Sequence, residues 1–209
     1  MVFDSVYEMF NPLTSVRKQH FWDWFSGRTL NMGTDGRWAY TDRIGNHTGS
    51  GMVDEADGGF KLQGDTSTNQ TLIAFNDKKE FSNTGSVVIW VAKMGATGTS
   101  KQGGWGMCGV MPNYWQNGMK LNVPQNSNYG FYTMDASTES ATDIDPIADT
   151  ETWRVYKLEQ LDGSAECTIN GVLEATRTAN MSTTAMQPFM YSKFADSPSY
   201  ARYCEAYNT

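Results

Sequence analysis

The residues best equipped for chemistry in this sequence are aromatic rings interleaved with amides between Gly103 and Tyr132. Trp105, Tyr114, Trp115 and Tyr129 share that stretch with Asn113 and Asn117. Rings offer flat apolar faces, and carboxamides both donate and accept hydrogen bonds. Together they suit a ligand with CH faces and hydroxyls, which is the chemistry of a sugar. Asn113, Tyr114 and Trp115 follow Pro112, in a loop where an exposed tryptophan needs an explanation. The same rings would also serve as core residues or loop anchors. A second cluster is acidic: Asp143, Asp145, Asp149 and Glu151 carry the hard oxygens that calcium takes. Their spacing matches no EF-hand and Pro146 interrupts them, so a solvated acidic loop is the alternative.

Little else is arranged for reaction chemistry. His20 and His47 stand in unrelated contexts, and no Ser-His-Asp or Cys-His set can be assembled around them. Cys108, Cys167 and Cys204 have neither metal nor redox spacing and read as buried free thiols, with a Cys167–Cys204 bridge as the alternative. No catalytic residue is assigned and no cofactor is required.

The elements that must position these residues are mostly strands. The clearest signal is Trp153–Thr176, three antiparallel strands joined by Asp162-Gly163 and Asn170-Gly171 turns. Tyr156 and Leu158 alternate with Lys157 and Glu159, and Ala165, Cys167 and Ile169 with Glu166 and Thr168, so one face is buried. Thr71–Asn76 and Gly85–Lys93 are the most apolar strands and should lie at the centre, the latter buried on both faces. Asp135–Thr152 reads as a long loop. Residues 2–10 carry the one helical stripe, Val2, Phe3, Val6, Tyr7 and Phe10, ended by Asn11-Pro12. A helix so short must dock on its own sandwich or on a neighbouring subunit. The division expected is an N-terminal arm, 1–20, which helps the chain assemble as a homo-oligomer, and a β-sandwich domain, 21–209.

Composition bounds the partners. The 209 residues are 39% hydrophobic and 19% charged, with a net charge of −7, which disfavours nucleic acid. No apolar run is long enough to span a bilayer. The first ten residues lack the basic start of a secretory signal peptide.

Tyr156-Lys157-Leu158-Glu159, Ile169-Asn170-Gly171-Val172 followed by Glu174-Ala175-Thr176, the closing Tyr200–Asn208, and the opening Trp24-Phe25-Ser26-Gly27 with Trp38 form a recognisable set. Together they resemble the concanavalin A-like lectin/glucanase superfamily, which includes laminin G-like domains. The resemblance covers residues 21–209 and implies an all-β jelly-roll sandwich of two antiparallel sheets. It also implies where catalysis would lie. Related family 16 glycoside hydrolases carry Glu-x-Asp-x-(x)-Glu on one strand, placing two carboxylates about 5 Å apart for retaining hydrolysis. Here Glu55-Ala56-Asp57 runs into Gly58-Gly59-Phe60 in a turn, Asp143-Ile144-Asp145 and Asp149-Thr150-Glu151 fall in the Pro-containing loop, and Glu205 stands alone. The alginate-lyase branch uses a His and a Tyr in motifs that neither histidine matches.

The expectation is therefore a non-enzymatic recognition or structural module. Members of this superfamily often bind calcium, which the resemblance extends to the acidic loop. Without a signal peptide or a disulfide framework, the expected setting is the surface of a phage or other virus particle. There it would contact glycans or cell-surface polysaccharide beside other virion or surface proteins. A polysaccharide-degrading enzyme of the same fold and a purely structural assembly subunit are the alternatives.

Overall fold

The computed structural model describes residues 20–25, 38–40, 51–52, 59–64, 71–74, 81–95, 103–109, 116–123, 129–136, 138–144, 151–193 and 198–209. They form strands β1 His20–Asp23, β2 Ala39–Tyr40, β3 Gly51–Met52, β4 Phe60–Leu62, β5 Thr71–Ala74, β6 Ser86–Met94, β7 Gly103–Cys108 and β8 Gly118–Val123. After these come β9 Gly130–Asp135, β10 Thr138–Asp143, β11 Arg154–Gln160, β12 Ala165–Ile169, β13 Val172–Arg177, β14 Gln187–Ser192 and β15 Ser199–Asn208. The eight-stranded sheet runs β13-β12-β11-β6-β15-β4-β3, with β1 also paired to β15. The seven-stranded sheet runs β10-β9-β8-β7-β14-β5-β2. All pairings are antiparallel and no helix occurs among the described residues. The helical stripe Val2, Phe3, Val6, Tyr7 and Phe10 lies outside them.

The hairpins β11-β12-β13 form as their sequence predicts. Gly163 has φ 78°, and Asn170 and Gly171 have φ 49° and 84°, the left-handed values that tight turns demand. Ala165, Cys167 and Ile169 face inward. Three expectations need correction. The polar stretch read as a loop contains β10, which completes the edge of the seven-stranded sheet against β9. The strand Thr71–Ala74 is next to an edge rather than central. Strand β6 is central, but its outward Ile89, Val91 and Lys93 are only half-buried, so it is covered chiefly on one face.

Between the sheets lies an aromatic core. Trp90 of β6 is stacked 6.2 Å from Phe25 and lies 5.9 Å from Trp38, while Trp105 and Tyr156 rings meet at 4.8 Å. The Trp38 indole N–H, beside β2 of one sheet, donates to Asp23 of β1 in the other at 2.8 Å, so the core's polar edge is also tied across the sheets. In β15 the register slips between Ala201 and Tyr203, leaving Arg202 as the extra residue of a β-bulge.

All three cysteines are free and buried. Cys167 and Cys204 lie on β12 and β15, separated by β11 and β6. Three inter-strand steps amount to about 14 Å, twice the roughly 7 Å limit for bridging Cα atoms. Burial pushes the Cys167 thiol up to about 12 and raises that of Cys204 as well. A thiol-reactive chromogenic disulfide should therefore label no cysteine of the native protein at neutral pH and all three in denaturant. Stoichiometric labelling of the native chain would contradict this packing.

Candidate functional site

Alternation along β7, β8 and β9 decides which of the expected binding residues can meet a ligand. Trp105 lies opposite Leu121, which lies opposite Phe131, and all three point between the sheets. Trp105 is 0% exposed and Tyr129 is 1% exposed, its ring 6.2 Å from that of Tyr156. Neither ring presents a face to solvent, so their expected role in sugar contact is replaced by a role in the core. Asn117 is half-buried at the turn between β7 and β8, where its side-chain oxygen accepts the Ala136 N–H at 3.2 Å. Asn113, Tyr114 and Trp115 lie outside the described residues. Of the acidic cluster, Asp143 ends β10 and Glu151 is exposed before β11, while Asp145 and Asp149 are not described. No three His, Cys, Asp or Glu side chains stand together as a metal set among the described residues, so Asp143 and Glu151 alone do not make a calcium cradle.

The same strands carry a different set of side chains on the outer face. Directly paired residues share a face, so the register defines three rows across β10, β9, β8, β7 and β14. One row reads Ala141, Tyr132, Lys120, Gly106, Phe189. On either side run Asp143, Gly130, Asn122, Gly104, Tyr191 and Glu139, Met134, Gly118, Cys108, Gln187. Four glycines on one face leave a bare floor over which the neighbouring side chains fold. A Cβ on Gly104 would come 2.9 Å from the Tyr191 ring, and one on Gly130 would come 2.4 Å from the Tyr132 ring. Both rings thus pack over glycine backbone, Tyr191 buried and Tyr132 half-buried.

Lys120 is the polar centre of this face. It is 4% exposed, pairs with Glu139 at 2.7 Å, and holds its ammonium 5.1 Å from the Tyr132 ring centroid. Burial pulls its pKa below the ordinary lysine value, with the Glu139 carboxylate opposing. Beside it the Tyr191 hydroxyl donates to the Asn122 carboxamide oxygen. Lys120, Asn122, Gln187, Phe189 and Tyr191 are buried, Tyr132 is half-buried, and Glu139, Ala141 and Asp143 are exposed, so the face opens toward β9 and β10.

The only carboxylates in the three rows are Glu139 and Asp143, four residues apart on one strand. That separation is about 13–14 Å, against roughly 5 Å for retaining and 6.5–9.5 Å for inverting hydrolysis. The alternation of Gly118-Met119-Lys120-Leu121-Asn122 was the available signal for this face. In a sequence such alternation marks Lys120 only as a solvent-facing lysine, and its burial beside Tyr132 and Glu139 shows only in the fold.

No family model matches the chain, and no curated protein sequence matches it. Solved structures do. One is a structure reported with endo-acting O-glycanases of the human gut microbiota that initiate mucin breakdown; it has a TM-score of 0.66 at 10% identity, over 90% of this chain and 98% of that one. A family 16 glycoside hydrolase from Bacteroides ovatus, in complex with a mixed-linkage glucan product, has a TM-score of 0.63 at 10% identity, over 88% and 98%. The carbohydrate-binding module CBM66 from Bacillus subtilis has a TM-score of 0.55 at 14% identity, over 79% and 92%. The fold is a concanavalin A-like β-sandwich. Among the described residues, the outer face of the seven-stranded sheet has a glycine floor, bears amides and rings, and holds no facing carboxylate pair.

Replacing Glu139 with Gln leaves the Lys120 ammonium buried beside a neutral partner. The expected cost is about 1–3 kcal/mol of stability, read by urea unfolding. Because the native pKa of Lys120 is lowered, the unfolded chain holds more protons than the native one between that value and 10.5. Wild type should therefore gain stability relative to Lys120→Met as pH rises through that window. A difference that stays flat or shrinks would show that Lys120 is not buried as described.

Proposed function

We propose that this protein is a non-enzymatic, lectin-like recognition module that holds glycans on the outer face of its seven-stranded sheet. The observation that carries this reading is the part of that face that reaches solvent, where the half-buried Tyr132 ring packs over Gly130 beside the Lys120–Glu139 pair and the exposed Asp143. Stacking CH faces on rings while amides and charges engage hydroxyls is how a sugar is bound. Similar structures include a carbohydrate-binding module and a hydrolase holding a glucan product, which supports a carbohydrate ligand for this chain too. In the setting expected from the sequence, a virion surface, such a module would attach the particle to a polysaccharide coat.

A second reading, a polysaccharide-degrading enzyme, draws on Lys120. A lysine with a lowered pKa beside the Tyr132 phenol is a conceivable acid–base pair. The two readings separate on products.

On an array of neutral and acidic glycans, Tyr132→Ala should lose binding at least tenfold while its melting temperature stays close to wild type. Trp105→Ala should instead cost about 3–5 kcal/mol of stability, as a core ring does. Wild-type protein should release no reducing or unsaturated ends from β-glucan, alginate or mucin. Turnover that Lys120→Met abolishes would overturn the non-enzymatic reading, and unchanged binding by Tyr132→Ala would move the site elsewhere.

A further inference from the structure

The eight-stranded sheet carries, on its own outer face, an arrangement that the reading above does not use. Register places Lys61 of β4 opposite Tyr200 of β15, and Tyr200 opposite Lys93 of β6. Arg154 of β11 pairs with Ala92, so Trp153, the residue before it, continues the same row beside Lys93. Across four neighbouring strands the row therefore reads Trp153, Lys93, Tyr200, Lys61: ring, cation, ring, cation. Three inter-strand steps give it a length of about 14 Å.

Contacts join three of the four side chains, Trp153, Lys93 and Tyr200, while Lys61 is placed by register. The Lys93 ammonium lies 4.9 Å from the Trp153 ring centroid and 5.2 Å from that of Tyr200. Arg202, the extra residue of the β15 bulge, lays its guanidinium 4.1 Å over the Trp153 ring. Cation–π contact orients the ammonium and guanidinium groups without neutralising their charge. Neither Lys61 nor Lys93 has a carboxylate partner among the described residues. Glu205, further along the same face, already accepts hydrogen bonds from His20 and Tyr203, and Glu151 lies two residues before Trp153. All five members of the group are half-buried, so each keeps part of its surface in solvent.

Lysines in a chain of net charge −7 would be expected to pair with its abundant carboxylates. Lys61 and Lys93 have none among the described residues and share one row with two rings, so the row gathers positive charge beside aromatic surface. We propose that this row binds an acidic polysaccharide, a glycan whose sugars carry carboxylate or sulfate groups. Trp153 and Tyr200 offer ring surface to the apolar sugar faces, and Lys61 and Lys93 take the anionic oxygens. The alternation suits an extended chain lying across the strands, with rings and charges met in turn. This site is separate from the seven-stranded face and does not depend on sugar binding there.

The test is affinity electrophoresis of the full chain through gels containing heparin, polygalacturonate or neutral barley β-glucan, at low and high salt. Retardation by heparin or polygalacturonate that weakens with salt is expected, the two gels distinguishing sulfate from carboxylate. The double variant Lys61→Gln/Lys93→Gln should lose at least tenfold in affinity for the acidic polymer with its melting temperature unchanged. Lys61→Arg/Lys93→Arg should retain binding, and Tyr132→Ala, on the opposite sheet, should leave it intact. Absence of retardation by both acidic polymers, or retardation that survives the double Gln variant, overturns the proposal. So would equal, Lys61- and Lys93-dependent binding to phosphatidylserine vesicles or single-stranded DNA, which would mark a general polyanion patch rather than a glycan site. Loss of neutral-glycan binding in Tyr132→Ala bears only on the seven-stranded face, so the two proposals fail separately.

Discussion

Trp90, at the middle of the central strand β6, is packed against Phe25 and Trp38, and this contact sets how the two sheets meet. Phe25 follows β1 in the eight-stranded sheet and Trp38 precedes β2 in the seven-stranded one, so the cluster joins distant parts of the chain. Rings of this size fill a sandwich core with few residues, and each buries far more apolar surface than an aliphatic side chain. A second group, Trp105, Tyr129 and Tyr156, fills the interior further along. Once both groups occupy the inner faces, strict alternation fixes what every neighbouring residue must do. The outward residues of β8 and β15 are free of core duty and become the places where recognition can develop.

That division explains both what the sequence revealed and what it concealed. The hairpins β11-β12-β13 were legible because Asp162-Gly163 and Asn170-Gly171 demand turns, and apolar residues alternate between them. Strand β10 was not, because Thr138–Asp143 is an edge strand with little to bury. Its inward Thr142 meets the guanidinium of Arg177 rather than a ring. Sheet order was equally hidden. Hydrophobicity marked Thr71–Ala74 as a strand but held no information about its neighbours.

Site residues were harder still. Trp105 and Tyr129 belong to the right segment but to the inward positions, because a ring's binding chemistry and its packing chemistry look alike in a sequence. Lys120, Asn122 and Tyr132 sit one residue away in alternation, and only the register shows that they share a face with Tyr191, which lies far along the chain. The row Trp153, Lys93, Tyr200, Lys61 is the extreme case. Its four members come from four separated segments, so no local motif announces them.

The bulge at Arg202 has a consequence for how this strand can change over time. Ala201 and Cys204 both face the core although three positions separate them, which strict alternation forbids. Arg202 absorbs the odd residue, acting as a phase correction in the periodic text of β15. Losing Arg202 would leave the core positions on either side in step, with Ala201 and Tyr203 simply adjacent. Gaining or losing one residue anywhere between Tyr203 and Asn208 would instead turn Cys204 or Ala206 toward water and Tyr207 inward. Length variation in β15 is therefore tolerable at a single point, and that point carries the guanidinium resting on Trp153.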